Sequence, residues 1–432
     1  ALSGVRVRDG ACPLISENKL YDGHGSGILY CDGSRGVIRD NELCGHAKTE
    51  RQMSGARTAP LVQGNRIHSS HAGGVLAFDG AAGVLLCNKI YANARANIRL
   101  SECASTHVEG NEVHASREHG IVISSGCCSL VVANDVHANH KANVAIWGEE
   151  TRPTLQRNRI GKGEQVGVYF YAGSGGLLLH NDVFLNRGAG VLVCEGASPL
   201  IRANMVREGE DAGVIVHRDA RCSIECNNIH SNRTYAIAVL AGGAPRVLAN
   251  WPHGRRQGGV LVDGGGGGSF GETEIEGNTK SGVMLRGHCD AEFRRNRIHS
   301  GRDSGVHATL GAGGVFEENQ IYANERAGVA IESGASPLLR RNKIFDGKQC
   351  GVFFFEKGLG SMWENEVWGN LEAGVQIIEE SDPLLQGNTI RCQARRDADD
   401  RPVETPSLWI HLDGRGKLQG NEVCDAGANA VV

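Results

Sequence analysis

Acidic residues are the first place to look for catalytic chemistry in this sequence, and they form no catalytic pattern. Inverting glycoside hydrolysis needs two carboxyl groups about 6.5–9.5 Å apart. The adjacent Asp399 and Asp400 are the closest approach to such a pair, but they stand in the charged run RRDADDRPVE, which predicts a solvated loop. His119 precedes a glycine, as in some hydrolases, yet this dipeptide occupies an ordinary position of the repeat described below. The sequence therefore predicts no catalytic residue.

Histidines and cysteines could bind a metal ion, but their spacing argues against it. His114 and His137 belong to a series of rings at one repeat position, and we expect no column of carboxylates beside them, so stacked rings are the favoured interpretation. Cys222 and Cys226 stand apart from any second cysteine pair, which argues against structural zinc. We predict no metal and no cofactor. The many unpaired thiols favour an intracellular protein, cytoplasmic or associated with the cytoskeleton or an organelle.

The overall charge excludes some partners. The 432 residues carry a formal net charge of −4, with a pI near 6.5. This balance does not suit a protein that binds nucleic acid through a basic surface. No apolar run approaches the ~20 residues of a membrane-spanning helix, so we predict no membrane insertion.

One short pattern, asparagine followed two residues later by isoleucine or valine, recurs at intervals of 23 or 24 residues. A fixed period of this kind indicates a repeat architecture. We assign Asn278 to the same series, although it stands 28 residues after Asn250 and 18 before Asn296. We expect the repeated amides to line the inside of one corner and to bond from turn to turn. The predicted asparagine ladder comprises Asn65, Asn88, Asn111, Asn134, Asn158, Asn181, Asn204, Asn227, Asn296, Asn319, Asn342, Asn365 and Asn388.

Apolar residues keep fixed distances from each repeated asparagine. In the turn that begins at Asn181 they are Val183, Val191, Val193 and Leu200, at positions +2, +10, +12 and +19. Alternation between +10 and +12 is typical of a strand. Three short strands per turn, joined by glycine-rich corners, make an all-β fold. The prediction is a single right-handed parallel β-helix, a solenoid of about 18 coils with ~23 residues per coil.

A second period of 46 residues overlies the first. Pro153, Pro199 and Pro245 are 46 residues apart, and a second set of asparagines follows nearly the same interval. The repeating unit is therefore two coils. We predict one β-helix domain over residues 1–432, with irregular insertions near 251–280 and 391–407. That second set comprises Asn93, Asn139, Asn186, Asn232, Asn324 and Asn370.

The outward side of the central strand, at positions +11 and +13, carries apolar and aromatic side chains where polar ones would suit contact with water. Apolar stripes on a surface usually mark a binding site. Permanent cover by loops or by a neighbouring chain, and stacking on sugar rings, are the alternatives. The predicted interaction face comprises Phe78, Trp147, Tyr169, Tyr171, Phe353, Phe355 and Ile378.

The turns from Asn296 to Asn388 contain the segments NRIHSGRDSGV, ENQIYANERAGVAIESGASPLLRRNKIFDGKQCGV and ENEVWGNLEAGVQIIEESDPLLQGNTI. They resemble the CASH, or parallel β-helix, repeats of the F-box-only protein 11 family, and weaker versions extend back to about residue 60. The resemblance implies a domain that recognises substrates of an SCF-type ubiquitin ligase. The family's F-box and zinc-binding region have no counterpart in this sequence. The repeats are also similar to those of spindle-associated SHC-binding proteins and, more distantly, of polysaccharide-acting enzymes.

The sequence favours a non-catalytic scaffold over an enzyme. Its partner would be a protein of unknown identity, and the chain would be a substrate-recognition β-helix or a subunit of a larger assembly. The alternative is a β-helix that binds carbohydrate or modifies a polysaccharide as a lyase, hydrolase or epimerase. Fold likeness cannot choose between these functions, because one fold carries many.

Overall fold

The structure is a computed structural model that describes residues 3–254, 258–391, 395–396, 402–403 and 406–424. These residues form strands and turns and no helix, so the predicted all-β class is confirmed. The chain divides into two compact units, Ala1–Val214 with Ala220–Ser223 and Ile215–Asp219 with Ile224–Val432. Each unit is a stack of turns, and each turn contributes one strand to each of three parallel sheets.

The first unit contains nine described strands in each sheet. Sheet 1, from positions +10 to +13, comprises Val5–Val7, Ile28–Tyr30, Arg51–Ser54, Val75–Phe78, Ile98–Leu100, Ile121–Ser124, Val144–Trp147, Val168–Tyr171 and Val191–Val193. Sheet 2, from +19 to +21, comprises Leu14–Ser16, Val37–Arg39, Leu61–Gln63, Val84–Leu86, His107–Glu109, Leu130–Val132, Thr154–Gln156, Leu177–Leu179 and Leu200–Arg202. Sheet 3, from +1 to +3, comprises Lys19–Tyr21, Glu42–Cys44, Arg66–His68, Lys89–Tyr91, Glu112–His114, Asp135–His137, Arg159–Gly161, Asp182–Phe184 and Met205–Arg207.

The second unit repeats this arrangement. Its sheet 1 comprises Val214–Val216, in which the division between the units falls, Tyr235–Leu240, Gly258–Asp263, Val283–Arg286, Val306–Thr309, Val329–Ile331, Val352–Phe354, Val375–Ile377 and Leu408–Ile410. Sheet 2 comprises Ser223–Glu225, also at the division, Arg246–Leu248, Gly267–Gly271, Asp290–Arg294, Val315–Glu317, Leu338–Arg340, Ser361–Trp363, Leu384–Gln386 and Lys417–Gln419. Sheet 3 comprises Asn228–His230, Trp251–His253, Glu274–Glu276, Arg297–His299, Gln320–Tyr322, Lys343–Phe345, Glu366–Trp368, Thr389–Arg391 and Glu422–Cys424.

Strands of successive turns pair in parallel, so each residue lies beside its equivalent one turn away. In sheet 1 of the first unit, Val75 pairs with Ile98 and Leu76 pairs with Arg99. Val75 and Ile98 are buried in the bore, whereas Arg99 is exposed on the outside. Burial of one such aliphatic side chain stabilises the fold by about 1.5–3 kcal/mol. The bore is therefore the hydrophobic core.

Position +19, where the sequence places an apolar residue, is not the buried position of sheet 2. Leu200, at +19, is partly exposed, and Ile201, at +20, is completely buried. Both residues are apolar, so the sequence leaves the phase of the alternation open, although a shift of one residue reverses the face. Some leucines at +19 lie on the surface instead, among them Leu130 and Leu177, at 36% and 37% exposure.

The predicted asparagine ladder is confirmed. Oδ1 of Asn111 accepts both the main-chain N–H and the Nδ2–H of Asn88, each at 2.9 Å. Nδ2 of Asn88 also donates to the carbonyl of Val62, one turn back. Each amide is thus satisfied by the turns beside it, and truncation would leave buried polar groups unpaired at a cost of about 1–3 kcal/mol.

Asn278 does not belong to the ladder, and this part of the prediction is wrong. Thr273 takes the position instead: its Oγ1 accepts from the N–H of Asn250 at 3.3 Å, and its own N–H donates to Oδ1 of Asn296 at 3.0 Å. The spacing stays at 23 residues on both sides. The threonine hydroxyl thus substitutes for the amide oxygen in the ladder. An irregular insertion was predicted near 251–280, but the residues described there form strands of the three sheets.

Asn278 belongs instead to the second asparagine column, at position +5, where it stands 46 residues from both Asn232 and Asn324. At the described positions of this column from Ser70 onward, an asparagine alternates with a small residue. Oδ1 of Asn139 accepts the N–H of Ser116 at 3.0 Å, and Oδ1 of Asn324 accepts the N–H of Gly301 at 3.1 Å. The two-coil unit therefore has a physical basis at this corner.

The ladder also continues across the long final turn, where Asn388 donates its N–H to Oδ1 of Asn421 at 2.9 Å although 33 residues separate them. Of the insertion predicted near 391–407, Arg395–Arg396 and Pro402–Val403 pair in antiparallel fashion. Asp399 and Asp400 lie outside the described residues. The extra residues thus leave the ladder intact.

Candidate functional site

A groove runs over the outside of sheet 1 in the first unit. Its volume is about 650 Å³. Five successive turns contribute to it, because equivalent positions of parallel-paired turns lie side by side. We call it the Trp147 groove, and it is lined by Thr49, Ala72, Gly73, Val75, Leu76, Phe78, Arg95, Ala96, Arg99, Ser101, Glu102, Glu118, His119, Val122 and Trp147.

Small apolar side chains form the floor of the Trp147 groove. Val122 and Ala145 point outward from sheet 1 and are nevertheless buried, because larger side chains cover them. Trp147 and Tyr169 pack against them from outside. The predicted interaction residues of this unit thus rest on a small second core outside the bore.

Three aromatic rings meet at one end of the groove. The ring centres of Trp147 and Tyr171 are 5.4 Å apart, and those of Tyr169 and Tyr171 are 4.3 Å apart. Burial raises the pKa of both tyrosines, which therefore stay neutral phenols at physiological pH. All three rings are half-buried, as is Phe78 in the groove wall. The structure thus brings Trp147, Tyr169 and Tyr171 together, and Phe78 lines the same groove as Trp147.

Two arginines give the groove positive charge, and two glutamates, Glu102 and Glu118, also line it. Arg99 projects from the middle of the strand Ile98–Leu100, and Arg95 lies four residues earlier at the corner. Both side chains are exposed, and neither makes an ion pair with any residue that the structure describes. Their guanidinium groups are available to an anionic ligand. Neither arginine has an arginine at the equivalent position of the turns beside it. A pattern of residue types that recur from turn to turn therefore does not reveal them.

His119 also lines the Trp147 groove. Its glycine neighbour occupies the ordinary corner position, as predicted, but the imidazole reaches the groove wall. Burial, followed by the charge of Lys141, lowers the pKa of His119, so the ring is neutral at pH 7. Glu118 lies 3.5 Å from the Lys141 ammonium.

The other predicted interaction residues form a separate patch in the second unit. The rings of Phe353 and Phe355 stack with their centres 4.6 Å apart. Beside them Cys350 Sγ donates to Gln376 Oε1 at 2.9 Å, and Gln376 Nε2 lies 2.9 Å from His411 Nε2. We call Phe353, Phe355, Gln376 and His411 the Phe353 patch. Burial raises the pKa of the Cys350 thiol, so this cysteine is a poor nucleophile.

Ile378 is a correction to the predicted interaction face, because it is only 8% exposed. Position +13 lies where the chain turns away from sheet 1, and smaller residues there, such as Cys194 and Ser124, are buried as well. Large rings at this position, including Trp147 and Tyr171, are half-buried and reach the surface.

Carboxylates surround the Phe353 patch. Glu332 lies one turn before Phe355, and its Oε1 is 3.0 Å from Nε2 of His307 on the turn before that. Glu356 and Glu379 follow the patch on adjacent turns, where the N–H of Glu356 donates to the Glu379 carboxylate at 3.1 Å. With Lys357, Glu380, Leu412 and Asp413 they line a depression of about 480 Å³. The surroundings of this patch are thus mainly acidic.

The predicted ring stacking on sheet 3 is confirmed. His68, Tyr91, His114 and His137 form a column with ring centres 4.8, 5.1 and 5.0 Å apart. The expected absence of carboxylates is wrong, because position +1 shares the face of position +3. Glu112, for example, lies 3.8 Å from His114.

One group on this face of the second unit has side chains of the right kind for a metal ion. Glu274, Glu276 and His299 bring their ligand atoms within 4.8 Å of one another. However, Arg297 lies 2.9 Å from Glu274, and the indole of Trp251 donates to Glu276 at 3.2 Å. These carboxylates already have cationic and polar partners, so we assign the group a structural role.

The cysteines of the described residues are all free thiols. Cys222 is buried and Cys226 is exposed, and burial raises the pKa of Cys222 to about 12. The two residues form no disulfide, and they belong to no group of three or more possible metal ligands among the residues that the structure describes. No helix in the described parts of the chain is long and apolar enough to cross a membrane.

The sequence matches the family of right-handed β-helix regions over residues 3–160, 134–251 and 253–390. The chain belongs to this family. The match confirms the predicted right-handed parallel β-helix, whereas the narrower resemblance to the F-box-only protein 11 family gains no support from it. No curated protein matches the chain in sequence.

Several solved β-helix structures are similar to this family member. A double mutant of the periplasmic alginate epimerase AlgG is 13% identical, with 74% of this chain and 77% of that chain covered and a TM-score of 0.39. The A-module of the Azotobacter vinelandii mannuronan C-5 epimerase AlgE4 is 11% identical, with coverage of 98% and 91% and a TM-score of 0.24. The Agl-KA catalytic domain is 11% identical, with coverage of 83% and 62% and a TM-score of 0.32. Likeness at this level carries no argument about function.

Proposed function

We propose that this β-helix binds an anionic polysaccharide, a polymer that carries uronic-acid carboxylates, along the Trp147 groove. The observation that carries the proposal is the pairing of two exposed arginines without ion-pair partners, Arg95 and Arg99, with the half-buried ring of Trp147 in one groove. The sequence alone favours a protein-binding scaffold, but that function accounts for this pairing less well than polysaccharide binding does.

The chemistry of the groove suits such a polymer. Guanidinium groups bind carboxylates through two parallel hydrogen bonds, which fixes orientation as well as charge. The flat ring of Trp147 offers an apolar face against which a sugar ring can stack, while Phe78 offers a second face on the same wall. A long polymer lying over consecutive turns would contact both features at the same time.

The proposed activity is binding without cleavage. Inverting hydrolysis needs two carboxyl groups on either side of the bond, one of them protonated, and of the two groove carboxylates, Glu102 and Glu118, the second is paired with the Lys141 ammonium. His119 is a neutral imidazole that could accept a proton, so a lyase or epimerase reaction is the catalytic variant of the same proposal.

Titration calorimetry of the full chain with a uronic-acid oligomer tests the proposal. The control ligand is the neutral oligosaccharide with the same linkage. We expect binding of the charged oligomer only, weakening as salt screens the arginines. Equal affinity for both oligomers, or none for either, would contradict the proposal. Release of unsaturated uronate, followed by its ultraviolet absorbance, would instead indicate the lyase variant.

A protein partner at the Phe353 patch is the second candidate. It is favoured by the stacked pair Phe353 and Phe355 on the outside of sheet 1, and by the exposed Trp409, which stacks on His411 at 4.1 Å. This is where the resemblance to substrate-recognition β-helices applies. Affinity purification of the wild type beside Phe353→Ser tests it, since a genuine partner should be lost with the ring.

An intracellular location stays a prediction. The free thiols at many positions favour a reducing compartment, because oxidising compartments usually pair them. Fractionation of cells that express the native chain would decide this, and recovery from a secreted fraction would contradict it.

A further inference from the structure

An arginine without a polar partner lies inside the bore of the first unit. Arg51 occupies the inward position of the strand Arg51–Ser54, between Ile28 and Val75 of the neighbouring turns. Its side chain is completely buried, and none of its three nitrogens has a hydrogen-bond partner in the protein. The hydroxyl of Tyr30 is buried and without a partner as well. The Arg51 guanidinium carbon lies 5.2 Å from the centre of the Tyr30 ring.

No neighbouring group supplies the missing negative charge. Glu50 is adjacent in sequence, but its Oε1 accepts the N–H of His46 at 2.9 Å and its Oε2 contacts Nδ1 of His46. This pair takes the place that Asn93 and Asn97 have two turns later. Burial raises the pKa of Glu50 to about 7 and raises that of Tyr30 above its ordinary value. The carboxyl is thus committed to His46, and the phenol is neutral.

The charge of Arg51 itself persists. Burial lowers its pKa to about 9, which still leaves the guanidinium protonated at pH 7. A buried charge without a counter-charge is among the most unfavourable features that a protein interior can contain. Its donors therefore require an acceptor that carries negative charge.

We propose that a small inorganic anion, chloride under physiological conditions, binds inside the β-helix bore between Arg51 and Tyr30. The site offers the N–H donors of Arg51 and the hydroxyl of Tyr30, which can donate as well, and this set favours a ligand that only accepts hydrogen bonds. Its surroundings, Ile28, Met53 and Val75, are completely or almost completely buried apolar residues, and a close-packed interior favours a monatomic ion over a bulky oxyanion. This inference is independent of the Trp147 groove, because Arg51 faces the opposite side of the sheet.

Chemical unfolding of the full chain at constant ionic strength, with gluconate replaced stepwise by chloride, tests the proposal. A ligand that binds only the folded state lowers the unfolding equilibrium constant by about tenfold for each tenfold rise in its concentration above the dissociation constant. We expect this dependence for the wild type and for the control Arg6→Met, which removes an exposed arginine from the outer face of the same sheet. Arg51→Met should abolish it. Tyr30→Phe, which keeps the charge and loses one donor, should shift the dependence to higher chloride.

Crystals grown in bromide give a second readout that does not depend on variant stability. An anomalous peak within hydrogen-bonding distance of the Arg51 guanidinium supports the site. Unfolding of the wild type that does not respond to chloride, or a bromide-grown crystal without that peak, would overturn the proposal. An equal chloride response in Arg51→Met would do the same.

Discussion

The outer face of sheet 1 carries stacked aromatic rings in both units, but the charged residues around them differ. In the first unit, Trp147 lines one groove with the exposed Arg95 and Arg99, and Glu102 and Glu118 line it as well. In the second unit, the Phe353 patch is surrounded by Glu332, Glu356 and Glu379, and its polar centre is the chain from Cys350 through Gln376 to His411. Aromatic exposure alone therefore does not choose a partner. The neighbouring charges decide which ligand each surface accepts.

Removal of the groove charges should have the largest effect. We expect Arg95→Met with Arg99→Met to weaken uronic-acid binding by about thirtyfold, since each exposed ion pair contributes up to about 1 kcal/mol. Calorimetry at low salt measures the change. Arg286→Met is the matched control, because Arg286 also lies on the outside of sheet 1 but donates to Asp263 at 2.9 Å. If the control lost as much affinity as the double variant, the groove would not be the binding site.

Loss of the groove's aromatic ring should have the next largest effect. Trp147→Ala should reduce affinity by about tenfold, because a stacking surface and its apolar contacts disappear. This loss should stay constant as salt rises, whereas the loss in the arginine variants should shrink. Parallel titrations at two salt concentrations separate the contribution of ring stacking from the contribution of charge. A salt-dependent loss in Trp147→Ala would mean that the substitution acts through the arginines.

Protonation of His119 should make a smaller change. The folded environment lowers its pKa, so the imidazole gains its charge only as the pH falls below the ordinary histidine range. The added positive charge should tighten polyanion binding by about threefold at mildly acidic pH. His119→Asn should flatten this pH profile without changing affinity at neutral pH. An unchanged profile in the variant would assign the pH effect to another group.

The Phe353 patch should contribute nothing to polysaccharide binding. Phe353→Ser should leave uronic-acid affinity unchanged, because the surrounding carboxylates repel a polyanion. The same titration measures this, with circular dichroism to check the fold. A clear drop in affinity would abolish the distinction between the two surfaces.

Residues that repeat are predictable from this sequence, and residues that occur once are not. The ladder through Asn88 and Asn111 is visible because each asparagine has equivalents 23 residues away. Thr273 is not predictable from the asparagine pattern. Its hydroxyl oxygen accepts the same hydrogen bond as the amide oxygen of asparagine, but the residue type is different. The prediction that Ile378 is exposed is wrong for a different reason, because exposure at this corner position depends on the size of the side chain.

The site itself is the least predictable part. Phe78, Trp147, Tyr169 and Tyr171 could be found because outward rings break the alternation of a strand. Arg95 and Arg99 could not be separated from other surface arginines, since only the folded turns reveal that they lack partners and share a groove. The buried Arg51 marks a turn whose departure from the repeat is visible in sequence, yet its missing counter-charge is visible only in three dimensions.

The second asparagine column constrains how this molecule can change length. Asn139 accepts from Ser116, and Asn324 accepts from Gly301, so each asparagine needs a small-residue turn beside it. Duplication or deletion of one coil would set two turns of the same type against each other and leave a corner amide unmatched. Gain or loss of 46 residues preserves every such pairing. Growth by coil pairs is therefore the step open to evolution, and to an engineer who wants a longer or shorter version.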